Sequence, residues 1–312
     1  MTWHGIEPEY VRGDTTGRTL RELASRPLRL DRDGVLAAWG VRDDPFATVV
    51  AGVRRAPTRA RRASATAWVA TFEAAVAEIA RSSRDPVLAL GGGVDAAAVL
   101  VAWRATGRAM PATCTLATGL ADYDELEVTL EIARTFGVRC DAIDARPDEL
   151  VALVPEAVAV AETPLYNLHP VHRLALARAV RNRGGATLVT GDGADAVFAG
   201  APDLDYVPIV AALTRAANLA LRSAFFDNAV IDCTQRDPSK RAVRDYLRSN
   251  DLGWLADCPK RSRWVPPLDL APILDRDRIA RLARDLDLPP NLADDRGRVG
   301  WATLDHLARS LA

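Results

Sequence analysis

Apolar residues along this chain follow two regimes. Residues 1–64 are polar and rich in arginine and proline, with short apolar runs at 35–41 and 47–53 that read as strands. The stretch is too small for a core of its own. It ends in Arg54-Arg55-Ala56-Pro57-Thr58-Arg59-Ala60-Arg61-Arg62, a basic run that reads as solvated linker because no aromatics interleave it. From residue 65 the pattern alternates. A helix over 65–80 leads to an apolar strand at 87–90, a glycine loop and a helix over 96–106. A strand at 112–118 precedes a helix over 125–136, where Leu126, Leu130, Ala133 and Phe136 recur at helical spacing. A strand at 139–143, a helical stretch, a helix over 171–183 and a strand at 187–190 complete the series. Strands alternating with helices predict an α/β fold with a parallel, doubly wound sheet. Beyond Gly200 no strand is evident, and helices over 207–221, 241–249, 278–286 and 303–311 read as a helical continuation. The division this implies is a short N-terminal segment, 1–64, and a main domain, 65–312.

With 312 residues and 49% hydrophobic content, the chain can bury one sizeable core and a small accessory lobe. Forty basic residues against 41 acidic leave no global field for nucleic acid or a membrane surface, so small-molecule partners are expected. No run of 18 apolar residues occurs, and Met1-Thr2-Trp3-His4-Gly5-Ile6-Glu7 lacks a signal-peptide pattern, which points to a cytoplasmic location. Cys114, Cys140, Cys233 and Cys258 are scattered without a Cys-x-x-Cys pair and read as reduced structural thiols. Only two of the 40 basic residues, Lys240 and Lys260, are lysine. Each either marks a place that needs a compact ammonium or survives by chance.

Two strands end alike. Leu88-Ala89-Leu90 runs into Gly91-Gly92-Gly93-Val94-Asp95, and Leu188-Val189-Thr190 into Gly191-Asp192-Gly193-Ala194-Asp195. Both loops read Gly-x-Gly-x-Asp. In a parallel sheet they emerge at one carboxyl edge, where a cleft forms if the strands flank a topological switch point. Glycines let the main chain approach phosphate, and the following helix N-terminus presents amides to it. Asp95 and Asp195 would then flank that anion, an arrangement that Mg2+ resolves by bridging carboxylates and phosphate oxygens. Either loop alone reads equally as a tight turn with an aspartate favouring the helix dipole. Neither is a Walker A sequence or a dinucleotide fingerprint, which disfavours hydride transfer.

Gly91-Gly92-Gly93-Val94-Asp95-Ala96 resembles the Ser-Gly-Gly-x-Asp-Ser loop of the PP-loop ATP pyrophosphatases, and within them the synthetase domain of the asparagine synthetase family, related to the β-lactam and carbapenam synthetases. The second hallmark of that family is similar to Thr190-Gly191-Asp192-Gly193-Ala194-Asp195-Ala196-Val197-Phe198-Ala199-Gly200, and Asp124-Glu125 and Glu162-Thr163-Pro164 also fit. The resemblance spans roughly residues 33 to 270, with 33–55 similar to the closing strands of the family's glutaminase domain. It implies an ATP-dependent, AMP-forming carbon–nitrogen ligase: ATP adenylates a substrate carboxylate and an amine or ammonia attacks. It implies nucleotide contacts from Leu90, Gly91, Gly92, Gly93, Val94, Asp95, Ala96, Thr118 and Gly191, with Mg2+ held by Asp95 and Asp195. Cys258-Pro259-Lys260-Arg261 resembles the segment of the family's late lysine, which implies that Lys260 stabilises the acylation transition state. Lys240 looks like the family's structural helix start, a solvated or ion-paired side chain.

Departures from the family carry information too. Gly91 and Ala96 replace two serines, removing two hydroxyl donors to phosphate, and Asp192 replaces the family's glutamate, which implies a catalytic position with a changed amine substrate. Residue 2 is Thr2 where the glutaminase needs cysteine, so this chain is expected to work without glutamine, in specialised metabolism, alone as a homo-oligomer or with a separate protein partner. Two other readings compete: a degenerate partner subunit, favoured by the lost serines, and sulfur transfer to RNA, opposed by the lack of a cysteine pair and of a basic surface. His169 and His172, three apart around Pro170, read as substrate-side or surface residues before a metal pair, and Trp254 and Trp264 as pocket walls or core.

Overall fold

The computed structural model describes residues 2–3, 8–42, 44, 46–56, 59–60, 67–120, 123–199, 206–259 and 268–312. The N-terminal segment forms β1 (Thr2–Trp3), β2 (Tyr10–Arg12), β3 (Thr15–Gly17), α1 (Leu20–Leu23), α2 (Arg32–Ala38), β4 (Arg54–Arg55) and β5 (Arg59–Ala60). β2 pairs antiparallel with β3 and β4, and β1 with β5. The apolar run expected as a strand at 35–41 is instead α2. Asp31 caps it by accepting from the Gly34 amide at 2.7 Å, and Gly34 is required because a Cβ there would meet the Thr48 carbonyl. The run at 47–53 makes only isolated bridges, Leu30 with Val50 and Ala47 with Arg54.

The main domain alternates as expected: α3 (Trp68–Ser82), β6 (Pro86–Ala89), α4 (Val94–Ala105), β7 (Ala112–Ala117), α5 (Leu126–Thr135), β8 (Cys140–Asp144), α6 (Pro147–Ala161), α7 (His169–Asn182), β9 (Thr187–Val189), α8 (Ala194–Ala199), α9 (Tyr206–Ala216) and β10 (Ala220–Arg222). These five strands form one parallel sheet in the order β10-β9-β6-β7-β8, with Val87 in register with both Ala112 and Leu188. β10 corrects the reading that no strand follows Gly200. The helix expected to run to 221 stops at Ala216, and Asn218, in the left-handed region at φ 57°, turns the chain into the sheet edge. α10 (Asn228–Cys233), α11 (Arg241–Arg248), α12 (Gly253–Ala256), α13 (Arg276–Asp285) and α14 (Asp295–Leu311) follow.

The sheet is covered on both faces. On one, Phe72, Leu100, Trp103, Phe225 and Leu247 from the α3, α4, α10 and α11 region pack against Leu88 and Val189. On the other, Leu176, Ala177 and Val180 of α7 pack against Cys114, Ile143 and Leu188. The far side of α7 (Val171, Leu174) enters an outer core shared with α6, α14 and the N-terminal residues Val35, Val49 and Val50. The N-terminal segment therefore buries its apolar positions against the main chain's helices. Glu162, in the left-handed region at the end of α6, accepts from the Leu20 amide and ties the two together. From β6 the chain moves through β7 to β8, then crosses back to β9 on the other flank of β6. The switch point thus falls between β6 and β9, the two strands that carry the glycine loops.

Candidate functional site

The two loops touch. A Cβ at Gly191 would lie 2.6 Å from the Ala96 nitrogen and 2.7 Å from the Asp95 carbonyl carbon, so only glycine lets the β9 loop rest on the first turn of α4. Gly193 needs its freedom for a second reason, a φ of 93° with the Phe226 ring beside it. Gly92 donates its amide to Glu125 at 2.9 Å, which pins the first loop to the start of α5. Together the loops wall a cleft of about 500 Å3. Gly91, Gly92, Gly93, Val94, Asp95, Ala96, Gly191, Asp192 and Asp195 all line it. Leu90 and Thr118 do not. Leu90 is core, its amide bonded to the Cys114 carbonyl, while the Thr118 hydroxyl and amide both donate to Asp124, at 2.7 and 2.8 Å.

Asp95 and Asp195 converge on Lys240. Its Nζ lies 2.5 Å from Asp95 Oδ2 and 2.8 Å from Asp195 Oδ1, with the side chain only 6% exposed. Asp237 builds the turn that aims it, accepting from the Ser239 amide, the Ser239 hydroxyl and the Arg241 amide, while Lys240 itself sits in the left-handed region at the start of α11. Burial alone pulls the Lys240 pKa down, but the two carboxylates outweigh it and hold it above the ordinary lysine value. The expectation of a solvated or ion-paired helix start held for the ion pair and not for solvation. Lys240 lines the candidate site although sequence reasoning set it aside; the rarity of lysine applied to it as much as to Lys260.

The opposite wall is a buried polar network. Arg173 on α7 donates to Asp192 at 2.9 Å, each side chain 11% exposed, and the Tyr206 hydroxyl lies against the same guanidinium. Burial and the neighbouring Asp192 carboxylate push the Tyr206 phenol up. His169 lines the cleft, stacked on Tyr206 with ring centroids 5.5 Å apart and bonded through Nδ1 to the Tyr123 hydroxyl at 2.7 Å. His172 lies behind it, stacked on Tyr123 at 4.7 Å and bonded through Nδ1 to the Leu168 carbonyl at 3.1 Å. Burial, then His172 and Arg173, lower the His169 pKa to about 3, and burial lowers that of His172 to about 4. Both imidazoles are neutral at neutral pH. With their Nδ1 atoms engaged apart, they act as a cleft-lining and a supporting residue respectively.

Lys260 and Trp264 lie outside the described residues. The chain leading to Lys260 is held at the cleft rim, where Arg244 of α11 donates to the carbonyls of Ser239, Ala256 and Cys258, and Cys258 and Pro259 line the cleft. Trp254 is 41% exposed and does not line it.

Fold and site define a class: a doubly wound α/β protein whose cleft opens at the switch point of a parallel sheet, between two glycine loops. The chain belongs to the asparagine synthase family, whose profile matches residues 67–261, more than half of its length and a span that includes both lysines. That is a family of ATP-dependent, amide-forming ligases. Among solved structures the chain is similar to the NMN synthetase from Francisella tularensis, at 13% identity over 77% of this chain and 91% of that chain, with a TM-score of 0.38. No curated protein matches the chain. No helix among the described residues is long and apolar enough to cross a membrane.

Proposed function

We propose that this protein adenylates a small-molecule carboxylate with ATP, releases pyrophosphate, and passes the acyl group to an amine or ammonia, without using glutamine in this chain. The observation that carries the reading is the meeting of two Gly-x-Gly-x-Asp loops at the switch point, with two carboxylates and a buried ammonium converging between them. In this reading the amides of Gly91, Gly92 and Gly93 and the N-terminus of α4 receive the phosphates. Lys240 adds a mobile positive charge. Both aspartate oxygens lie within 2.8 Å of one point, so the pair fits a bridging cation. Asp95 and Asp195 would hold Mg2+, which neutralises charge on the departing pyrophosphate.

The carboxylate oxygen attacks the α-phosphorus, the bond to the β-phosphate bridge breaks, and pyrophosphate leaves along the glycine loop. The amine nitrogen then attacks the acyl carbon and AMP departs. Asp192, held in place by Arg173, is suited to take the proton that the nitrogen loses, and the Lys260 ammonium to stabilise the oxyanion. His169, neutral and stacked on Tyr206, faces the acceptor as a hydrogen-bonding wall.

Pyrophosphate release with ATP and Mg2+ across a panel of carboxylates and amines tests this. Release dependent on one pair of substrates, lost in Lys260→Ala and in Asp195→Ala, is the expected result. A folded wild type that neither binds nor consumes ATP overturns the ligase reading in favour of a partner subunit, which the missing serines at Gly91 and Ala96 would then explain.

A further inference from the structure

The Asp95–Asp195 pair already has a cation, and it is part of the chain. The Lys240 ammonium sits between the two carboxylates, in contact with one oxygen of each, at the point where a bridging metal ion would have to stand. Its backbone is fixed by the Asp237 turn and by the start of α11, while four methylenes separate that anchor from the charge. The anchor stays and the ammonium can swing.

Two carboxylates and one ammonium leave a single net negative charge. A divalent ion entering alone would have to lie against the ammonium or expel it toward a wall whose carboxylates are already engaged, Asp192 by Arg173 and Glu125 by the Gly92 amide. A di- or triphosphate supplies that anion. We infer that Lys240 is the resident cation of the Asp95–Asp195 site and excludes free divalent ions from it, so that the metal enters only together with a polyphosphate that draws the ammonium away. This rests on reading the paired loops as a phosphate and cation site, and it adds to that reading an order of binding and a residue that sets it.

The chain provides its own probe, because it holds only two lysines. In protein labelled with 15N-lysine, the side-chain ammonium spectrum contains two signals, and Lys260→Met leaves the one from Lys240. The expected result is that millimolar Mg2+ alone leaves the Lys240 signal in place, whereas Mg2+ with inorganic pyrophosphate shifts it. Displacement by Mg2+ alone overturns the inference. In parallel, Mn2+ titration followed by electron paramagnetic resonance should show Lys240→Met binding the ion without phosphate about tenfold or more tightly than wild type, through removal of a like charge at contact distance. Equal affinity in a folded variant also overturns it. If that variant does not fold, the lysine spectrum of the wild-type chain decides. Failure of pyrophosphate to move the signal, with Mg2+ alone inert, overturns both this inference and the phosphate-site reading on which it rests; movement by Mg2+ alone overturns this inference only.

Discussion

Two charged clusters in this chain are mirror images, and the contrast shows what distinguishes a site from a clamp. In the outer lobe one buried carboxylate, Asp305 of α14, takes two guanidinium groups, Arg278 at 2.7 Å and Arg309 one turn on. At the sheet edge one buried ammonium, Lys240, takes two carboxylates. Asp305 is 0% exposed while its arginines are 38% and 40% exposed, so the surplus positive charge of that cluster is dissipated in water. At the sheet edge the two carboxylates and the ammonium face a cleft. One arrangement is closed and structural. The other, in the proposed reading, is complete only until a cation and an anion arrive together.

Neutralising the odd member of each cluster breaks the symmetry, with the larger effect at the sheet edge. Lys240→Met leaves Asp95 and Asp195 facing each other and should lower stability by about 3 kcal/mol at pH 8, near the lower bound for a broken buried pair because Asp195 can turn to solvent. Asp305→Asn should cost about 2 kcal/mol, since the stranded arginines reach water. Its pH signature lies in the acid range. Burial raises the Asp305 pKa, but Arg309 and Arg278 outweigh it and hold the group below the ordinary 3.8, so its stabilisation is present above that value and lost as pH falls through the lowered one. Chemical denaturation of both variants at pH 8, 5 and 3 measures this. Equal losses at every pH would show that the two clusters do the same job.

The main sheet, its switch point and the paired loops were legible because each rests on local pattern: short apolar strands, helical spacing after them, and glycines in the loops between. What escaped depends on contacts distant in sequence. β10 is a three-residue edge strand with one buried neighbour, and its Ala220-Leu221-Arg222 continues a helical pattern until Asn218 turns the chain. Residues 35–41 carry strand-like apolar character, yet the Asp31 cap and the close packing of Gly34 on Thr48 select a helix. Arg173 and Tyr206 gave no signal, since one arginine among many in a helix looks solvated until α9 closes over it. Lys240 was legible as a rare residue but not as a bridge, because 145 residues separate it from Asp95.

Acid sensitivity should sharpen the contrast further, because it arises on the cleft side and at a higher pH than the Asp305 cluster allows. His172 is held neutral in the fold, with its pKa lowered to about 4, and His169 with one lowered to about 3. The unfolded chain binds protons near the ordinary value of 6.5 while the folded chain refuses them, so stability falls as pH drops from 6.5 toward 4. For His172 the full effect is on the order of 3 kcal/mol. Melting temperature followed from pH 7 to 4.5 should decline less steeply in His172→Asn than in wild type. Parallel slopes would move the acid-sensitive element elsewhere.

The smallest effect concerns the phosphate loop itself. Gly91 and Ala96 both line the cleft and carry no hydroxyl, so in the proposed reading anion binding there would rest on backbone amides, the α4 dipole and Lys240. Adding one hydroxyl bonded to a charged oxygen is worth about 1.5 kcal/mol, or about tenfold in affinity. Ala96→Ser is the more demanding substitution, because Gly191 packs directly on the Ala96 backbone nitrogen, whereas Gly91→Ser adds its hydroxyl at a half-buried position lining the cleft. Isothermal titration with a non-hydrolysable ATP analogue should show tighter binding in Gly91→Ser, while the stability of the Asp305 cluster stays unchanged. Unaltered affinity would mean that the amides and Lys240 already satisfy the phosphate oxygens. The cleft would then differ from the outer clamp by carrying a charge that moves, rather than by lacking donors.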